Sequence, residues 1–471
     1  ARNTRTTTTT TKHRQFLCFS DSRSEAAFFA CYMEKSYQEF LRRRGIWHVI
    51  EECKKEGKTF LSVSSFVERL SRYFNANKTF AEWDQPENQD IDLACKRNAW
   101  IAVLNEMYNA RRSTSLASMG LLSFEYDPNT EVCSDIADEF GISDAESKDF
   151  LNLLVMDAVY AGAILPDFKL TDADREYIFF AAKQRYTKAI KTAEDSQRSW
   201  VMGWAARKRS NGNYYPNARL ARVCRVSGRD EDYSNEILLS YWDNVFAKQR
   251  NEETTISTKD FSIRLSGDSK LHFYRCKKCG KVTPYYCKGF CSSVKCDGSL
   301  EKYDPTIDLQ NNHYANLYRD TRMSPLFIKE HTAQLAKDQQ TIYQQGFVNG
   351  KINALSCSTT FEMGVDVGSL ETVYMRNVPP SPANYVQRAG RAGRALHSAA
   401  FVMTYAKLSS HDFTFYNNPQ KMISGLIQAP VFEIKNRKVI NRHIYAVALS
   451  SFLTAYPKVY DGDNQTVLLN E

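Results

Sequence analysis

The sequence predicts an α/β protein built on a parallel sheet, and two stretches carry that expectation. Near the start, Phe16-Leu17-Cys18-Phe19 is a short apolar run that ends in Ser20-Asp21-Ser22-Arg23 and leads into an amphipathic stretch. That is the pattern of a strand, a polar loop and a helix. From Pro325 the same alternation returns several times, and alternating strands and helices argue a parallel sheet with helices on its faces. The long segment between the two stretches is mostly helical in pattern.

In chain order, the first strand is residues 16–19. A helix follows from Ser24 through Ala26, Phe28, Phe29 and Met33 to about Leu41, with Gly45 as its stop. Residues 46–194 read as mostly helical and mixed in charge. Within them, residues 151–165 form a greasy stretch that carries Asp157 and reads as a buried helix. Thr171-Asp172-Ala173-Asp174 is a helix-start pattern in which side chains at each end of the first turn cap the other's amide. From Pro325, Leu326-Phe327-Ile328 is a strand and residues 332–345 a helix. Strands are expected at 352–357, 372–375 and 399–405, and a helix at 382–390. Residues 409–471 read as a helix-rich tail. No internal repeat is present.

The 471 residues suffice for roughly three domains. A 43% hydrophobic and 25% charged composition excludes wholesale disorder. No run approaches the ~18 apolar residues of a membrane helix, and residues 1–11 are polar, without the apolar core of a signal peptide. A cytoplasmic location is the expectation. The net charge of +8 is a mild excess compatible with a polyanionic partner.

Of twelve cysteines, Cys276, Cys279, Cys287, Cys291 and Cys296 crowd one short window. In a reducing compartment such crowding favours metal over disulfides. Cys276-x-x-Cys279 and Cys291-x4-Cys296 are two thiolate pairs of the kind that close a tetrahedral structural zinc site. His331 and His411 have no Cys or His companion at ligand spacing and read as structural. Residues 198–229 carry eight Lys/Arg and no Asp/Glu, interleaved with Trp200, Trp204, Tyr214 and Tyr215. Cations that track phosphates and rings that stack on bases suit single-stranded nucleic acid, which singles out Arg207, Lys208 and Arg209. The competing reading puts the tryptophans in a core and the arginines in water.

Gln387-Arg388-Ala389-Gly390-Arg391-Ala392-Gly393-Arg394 places three arginines at intervals of three around small residues. Guanidinium forks suit phosphate oxygens and can neutralise charge on a transferring phosphoryl group. Upstream, Ser358-Thr359-Thr360-Phe361-Glu362-Met363-Gly364-Val365-Asp366 follows an apolar strand, and its hydroxyls are donors to a nucleic-acid backbone. Together these stretches resemble motifs VI and V of the second motor domain of superfamily 2 helicases. Ser20-Asp21-Ser22-Arg23 resembles motif IV and Glu330-His331-Thr332-Ala333-Gln334 motif IVa, in the family's order. The wording from Cys357 to Asp366 is similar to a large bacterial branch with a four-cysteine module, which includes relatives of mitomycin-repair and anti-phage defence helicases.

The resemblance implies a RecA-like second helicase domain, interrupted by a large, mostly helical insertion with a zinc module and followed by a helical C-terminal tail. About 280 residues, 45–323, would intervene between motif IV and motif IVa. The implied division is 13–44 and 320–408 for the motor domain, 45–270 for the accessory module, 271–303 for the zinc module and 409–471 for the extension. Arg391 and Arg394 would be arginine fingers, while Gly364, Asp366, Gln387 and Arg388 would bind ATP with Mg²⁺. Ser22, Arg23, Ser358, Thr359 and Thr360 would hold the strand, with 3′-to-5′ travel and a role in DNA repair or antiviral defence. Among the cysteines, the outer pairs Cys276, Cys279, Cys291 and Cys296 are preferred as ligands, because Cys296-Asp297-Gly298 resembles the second knuckle of the family's module. Cys287, after Tyr285-Tyr286, would pack inside.

A complete motor also needs a phosphate-cradling G-x-x-x-x-G-K-[ST] loop and an acidic metal-binding pair. Gly57-Lys58-Thr59 has Glu52 where the first glycine belongs and reads as an exposed helix end. Asp230-Glu231-Asp232 follows Ser227-Gly228-Arg229 rather than an apolar strand and reads as a loop. A first motor domain, the other half of the ATP site, is therefore expected upstream as the partner of this one, and the chain alone is expected to be inactive. The alternative is a nucleic-acid-binding scaffold whose helicase fold does not hydrolyse ATP. A nuclease would need clustered carboxylates around a lysine, which the sequence does not offer.

Overall fold

The computed structural model describes residues 15–80, 90–108, 114–127, 130–179, 188–192, 201–245, 253–254, 256–320, 325–358, 370, 372–393, 400–427 and 435–456. Five short strands form one parallel sheet in the order Ile328–His331, Ala354–Cys357, Phe16–Phe19, Thr372–Met375, Phe401–Thr404. The strand nearest the N-terminus is thus the central one. Phe16 is in register with Ala354 on one side and Thr372 on the other. Leu17, Cys18 and Phe19 are fully buried, as a central strand covered on both faces requires. Leu17, Phe19, Leu355, Cys357, Val373 and Met375 share one cluster with Phe347 of the helix Lys337–Val348.

The helix that follows the central strand, Arg23–Lys55, is longer than its periodicity implies. Its first turns lie on the sheet, where Ala30 packs with Ile328 and Ala354. Its last turns, from Ile46 to Cys53, enter a second and larger core that extends to Tyr318. Gly45 does not stop it, and the expected 44/45 division falls inside the helix. Glycine is tolerated in a helix at a modest cost, and here a close approach selects it. A Cβ on Gly45 would lie 2.8 Å from Cζ of Phe74, on the helix Val63–Ala76. We expect Gly45→Ala to destabilise the protein by about 1–3 kcal/mol through overpacking, read as a lower midpoint in denaturant unfolding.

The second core is built from helices, among them Ile91–Tyr108, Asp144–Tyr160, Asp172–Phe179, Ala218–Ser227 and Glu231–Val245, with small sheets beside them, some antiparallel, one parallel and one mixed. The greasy stretch is a buried helix only as far as Tyr160, and Ile164–Leu165 is a separate strand. Asp157 is tolerated there because Arg222 pairs with it, Nη2 to Oδ1 at 3.1 Å, with both side chains buried. The helix start at Thr171 has both arms of its cap: Asp174 N–H donates to Thr171 Oγ1 at 3.2 Å and Thr171 N–H to Asp174 Oδ2 at 3.0 Å.

Three expectations shift. The first strand after Pro325 begins at Ile328, and the next helix begins at Lys337 rather than Thr332. Lys329 and Glu330 are half-exposed within that strand, a polar pattern an edge strand allows. Asp230 is not in a loop of its own but caps the helix Glu231–Val245, its Oδ1 accepting Tyr233 N–H at 2.8 Å. Among the described residues, no helix is long and apolar enough to cross a membrane.

Candidate functional site

The polar loop after the central strand and the helix Pro382–Ala389, which carries Arg388, meet at the C-terminal ends of the parallel strands. The backbone sets this up, because Ser20 N–H donates to Cys357 O at 3.0 Å and Arg376 N–H to Phe19 O at 2.9 Å. Ligands bind at this edge in open α/β sheets. Ser22 caps the Arg23–Lys55 helix, its Oγ accepting Glu25 N–H at 3.4 Å, and Arg23 is exposed at the first turn. A helix N-terminus here offers unpaired amides and positive dipole to a phosphate.

Arg388 is fully buried, and its Nη2 donates to Asp21 Oδ1. Asn377 Nδ2 donates to the other oxygen of the same carboxylate, and the guanidinium lies 5.7 Å from the Phe19 ring centroid. Arg388 therefore ties the helix to the loop and presents no surface to a ligand. Glu25 adds a second tie, accepting from Lys407 Nζ at 2.7 and 2.9 Å and from Ser20 Oγ at 3.1 Å. The Lys407 ammonium holds the Glu25 carboxyl below its ordinary range. Asp412 closes the next loop by accepting Lys407 N–H at 2.9 Å and Val378 N–H at 3.2 Å. Asp21, Asn377, Glu25, Lys407 and Asp412 were not among the expected site residues. Asp21 alone lay in a recognised motif, and its partner stands 367 residues away.

Gln387 is exposed on the helix, whereas Arg391, just past its end, is 8% exposed; burial pushes the Cys357 thiol up, and the Arg391 guanidinium opposes that. Ser358 is buried at the end of its strand. Gly393 has φ +80°, and a Cβ there would meet Ala400 Cβ at 2.8 Å, so the turn after Arg391 needs glycine. Gly364, Asp366, Thr359, Thr360 and Arg394 lie outside the described residues. His411 Nε2 is 3.0 Å from Pro379 O, a structural partner.

The four outer cysteines come together. The thiols of Cys276, Cys279, Cys291 and Cys296 lie within 4.8 Å of one another, with Cys276–Cys296 at 3.7 Å and Cys279–Cys291 at 3.6 Å. Four Zn–S bonds of about 2.3 Å in a tetrahedron give sulfur separations of about 3.8 Å. The donor set therefore fits zinc. Burial pushes the Cys276 thiol up, but amide hydrogen bonds from Cys279 and Lys278 outweigh it and bring it down to about 7. Ser293 N–H and Gly298 N–H donate to the sulfurs of Cys291 and Cys296, each at 3.4 Å. Cys287 is outside the cluster, packed in the large core, where burial pushes its thiol up to about 12.

The basic stretch divides. Trp204 is fully buried, and Arg219 is an internal strut that donates to Trp204 O at 2.8 Å and Gly203 O at 2.7 Å. Arg222 is held by Asp157. Arg225 donates to the carbonyls of Cys291, Ser293, Val294 and Cys296 at 2.7–3.3 Å, which clamps the second cysteine knuckle onto the helix Ala218–Ser227. The outer part is different. Arg207 and Arg209 lie 5.8 and 4.5 Å from the ring centroid of Tyr215, which is exposed, and Lys208 reaches Asp232 at 2.6 Å. A groove of about 1070 Å³ runs from Tyr214 and Tyr215 to Lys281 and Lys295 of the cysteine module.

Residues 306–396 match the family model for the helicase conserved C-terminal domain. The Druantia protein DruE of Escherichia coli is 29% identical over 235 residues, covering 45% of this chain and 13% of DruE. The Lhr helicase of Mycolicibacterium smegmatis is 26% identical over 124 residues, covering 26% of this chain and 8% of that protein. Among solved structures, the DUF1998 helicase MrfA bound to DNA is 23% identical, covering 25% of this chain and 16% of that one, with a TM-score of 0.24. The chain thus spans 13% and 8% of the length of the two curated relatives.

Proposed function

We propose that this chain, which carries the C-terminal motor half of a superfamily 2 helicase, couples ATP hydrolysis to movement along a DNA strand. The observation that supports this most is the Arg388–Asp21 tie, which fixes the helix that leads to Arg391 against the loop at the C-terminal edge of the parallel sheet. In this reading the motor domain comprises residues 13–44 and 320–408, and the other half of the ATP site lies on an upstream RecA-like domain of the same polypeptide. ATP with Mg²⁺, when bound between them, supplies the phosphoanhydride whose cleavage drives movement. Arg391 and Arg394 would neutralise charge developing on the phosphoryl group. Gln387, Gly364 and Asp366 would face the nucleotide, and Arg388 would position the helix rather than touch ATP. Ser22, Arg23, Ser358, Thr359 and Thr360 would hold backbone phosphates. The four cysteines would hold structural Zn²⁺. Resemblance to repair and anti-phage helicases supports a role in DNA repair or defence.

The inserted module would extend the strand's path over Tyr215. An aromatic face flanked by Arg207 and Arg209 can stack a base while cations meet its phosphates. Reversing Arg207, Lys208 and Arg209 to Glu is expected to weaken single-stranded DNA binding and flatten its salt dependence. Each lost phosphate contact lowers the slope of log affinity against log salt by roughly one unit. Lys208 is committed to Asp232, so a loss of about two units is expected rather than three. Fluorescence anisotropy over a salt series measures it, and an unchanged slope would remove this surface from the path.

A further inference from the structure

A second concave site lies at the other end of the Arg23–Lys55 helix. Arg42 is twenty residues beyond the Ser22 cap, which is about 30 Å along the helix axis. There the helix, the start of the strand Ile328–His331 and the inserted helices surround a pocket of about 870 Å³. This volume is in the range of small-molecule sites.

Arg42 is 6% exposed and lines this pocket. Its Nε and Nη2 donate to Asn98 Oδ1 at 3.1 and 2.7 Å, and Nη2 also reaches Gln38 Oε1 at 3.3 Å. Its Nη1 is buried and has no hydrogen-bond partner among the described residues. Of the carboxylates nearby, Glu34 is exposed at the pocket's rim and the other two are engaged elsewhere. Glu39 pairs with Arg43 at 2.6 Å, and Asp174 pairs with Arg97 at 2.8 Å. A buried guanidinium with neither a carboxylate of its own nor a full set of acceptors is costly. Burial pulls its pKa below the ordinary guanidinium value, and the neighbouring Tyr177 hydroxyl and the Glu39 and Asp174 carboxylates offset only part of that.

The surroundings indicate what would complete it. Lys35 and Lys78 are exposed at the rim and Lys329 is half-exposed. Three ammonium groups beside a guanidinium suit a dianion better than a carboxylate, and a guanidinium fork matches phosphate oxygens. The walls are aromatic: Tyr177 and Phe80 lie 4.7 and 5.8 Å from the Arg42 guanidinium. The cavity is far larger than a bare phosphate, and Tyr37 and Phe327 add to its aromatic lining, which suits a nucleoside. We propose that it binds a nucleoside phosphate, with Arg42 Nη1 donating to the phosphoryl oxygens and Lys35, Lys78 and Lys329 neutralising the remaining charge. The source is either a free mononucleotide or the phosphorylated end of a strand.

The test is calorimetric titration of AMP, with inorganic phosphate as competitor, into the intact chain carrying Arg391→Ala, which removes that arginine's contribution from the motif VI side. AMP is expected to bind, phosphate to displace it, and Arg42→Gln to weaken it about tenfold or more, the worth of one charge-assisted hydrogen bond. Lys78→Glu with Lys329→Glu, on the rim and away from the core contacts, is expected to weaken it several-fold at an unchanged melting temperature. Arg42→Gln should itself leave the melting temperature level or raised, because it removes a buried charge without a counter-ion. A 5′-phosphorylated oligothymidylate that binds more tightly than AMP, and loses that gain as a 5′-hydroxyl, identifies the source as a strand end. AMP binding that is as tight identifies it as a free nucleotide. If AMP and the phosphorylated strand both fail to bind, or bind the Arg42 and rim variants as they bind the parent, the assignment is wrong. Arg42 is then a strut for Asn98 and Gln38.

Discussion

Arg391→Ala, made in the longer polypeptide that would hold both motor domains, is expected to cut strand-stimulated ATP hydrolysis about a thousandfold, or about 4 kcal/mol of transition-state stabilisation. A guanidinium supplied across a domain cleft acts on charge that develops only as the phosphoryl group transfers. Its loss should therefore lower kcat while leaving KM for ATP and strand affinity nearly as they were. The local structure favours a direct role for Arg391 over Arg388. Arg388 is fully buried against Asp21, so its removal would leave a carboxylate without its main partner and loosen the helix. Arg391 follows where the helix has ended, and the turn beyond it requires glycine at Gly393. Arg388→Ala should consequently lower both stability and activity, whereas Arg391→Ala should lower activity far more than any accompanying loss of stability accounts for. Arg391→Lys keeps the charge but not the fork and is expected to recover little. The chain by itself should show no hydrolysis. Steady-state kinetics checks all of this, and a wild-type kcat in Arg391→Ala would place the catalytic arginine elsewhere.

The strands of the parallel sheet were legible because each is a short apolar run bounded by polar residues. Phe16–Phe19 and Thr372–Met375 fall where the pattern put them. What periodicity cannot carry is pairing. The insertion of Phe16–Phe19 between Ala354–Cys357 and Thr372–Met375 joins segments more than 300 residues apart, and only the order of the motifs hinted at it. Gly45 misled because a glycine that ends a helix and a glycine that admits a neighbouring phenylalanine look the same in sequence. The basic stretch misled in part for a related reason. Arg219, Arg222 and Arg225 belong to the same run of eight cations with no acidic residue as Arg207, Lys208 and Arg209. Yet Arg219 and Arg225 donate chiefly to backbone carbonyls, partners that leave no mark in a sequence. Asp21 was missed as a site residue because a loop aspartate shows its importance only once Arg388 is placed beside it.

Loss of one thiolate from the four-cysteine cluster is expected to have the largest effect on stability. Structural zinc contributes several kcal/mol of folding free energy, and a set of three thiolates binds it far less well. The effect should not stay local. The second knuckle is clamped by Arg225 through four carbonyls, and Arg222 holds Ser292 O while it pairs with Asp157 in the large core. Once the knuckle loosens, Arg222 loses an acceptor in a buried setting, and the buried Asp157 pair becomes a net cost. Cys276→Ser is therefore expected to lose the metal, to lower the melting temperature of the inserted module and to expose residues 273–303 to protease. Chelation of the parent protein should reproduce all three effects. Cys287→Ser is the control, since Cys287 packs in the core outside the cluster; it should keep about one zinc per chain and melt only slightly lower. Elemental analysis with thermal unfolding decides the matter. Zinc retained in Cys276→Ser, or lost in Cys287→Ser, would mean that a different set of thiols binds the metal. No zinc in parent protein purified without chelator would mean that the cluster is held by packing and hydrogen bonds alone.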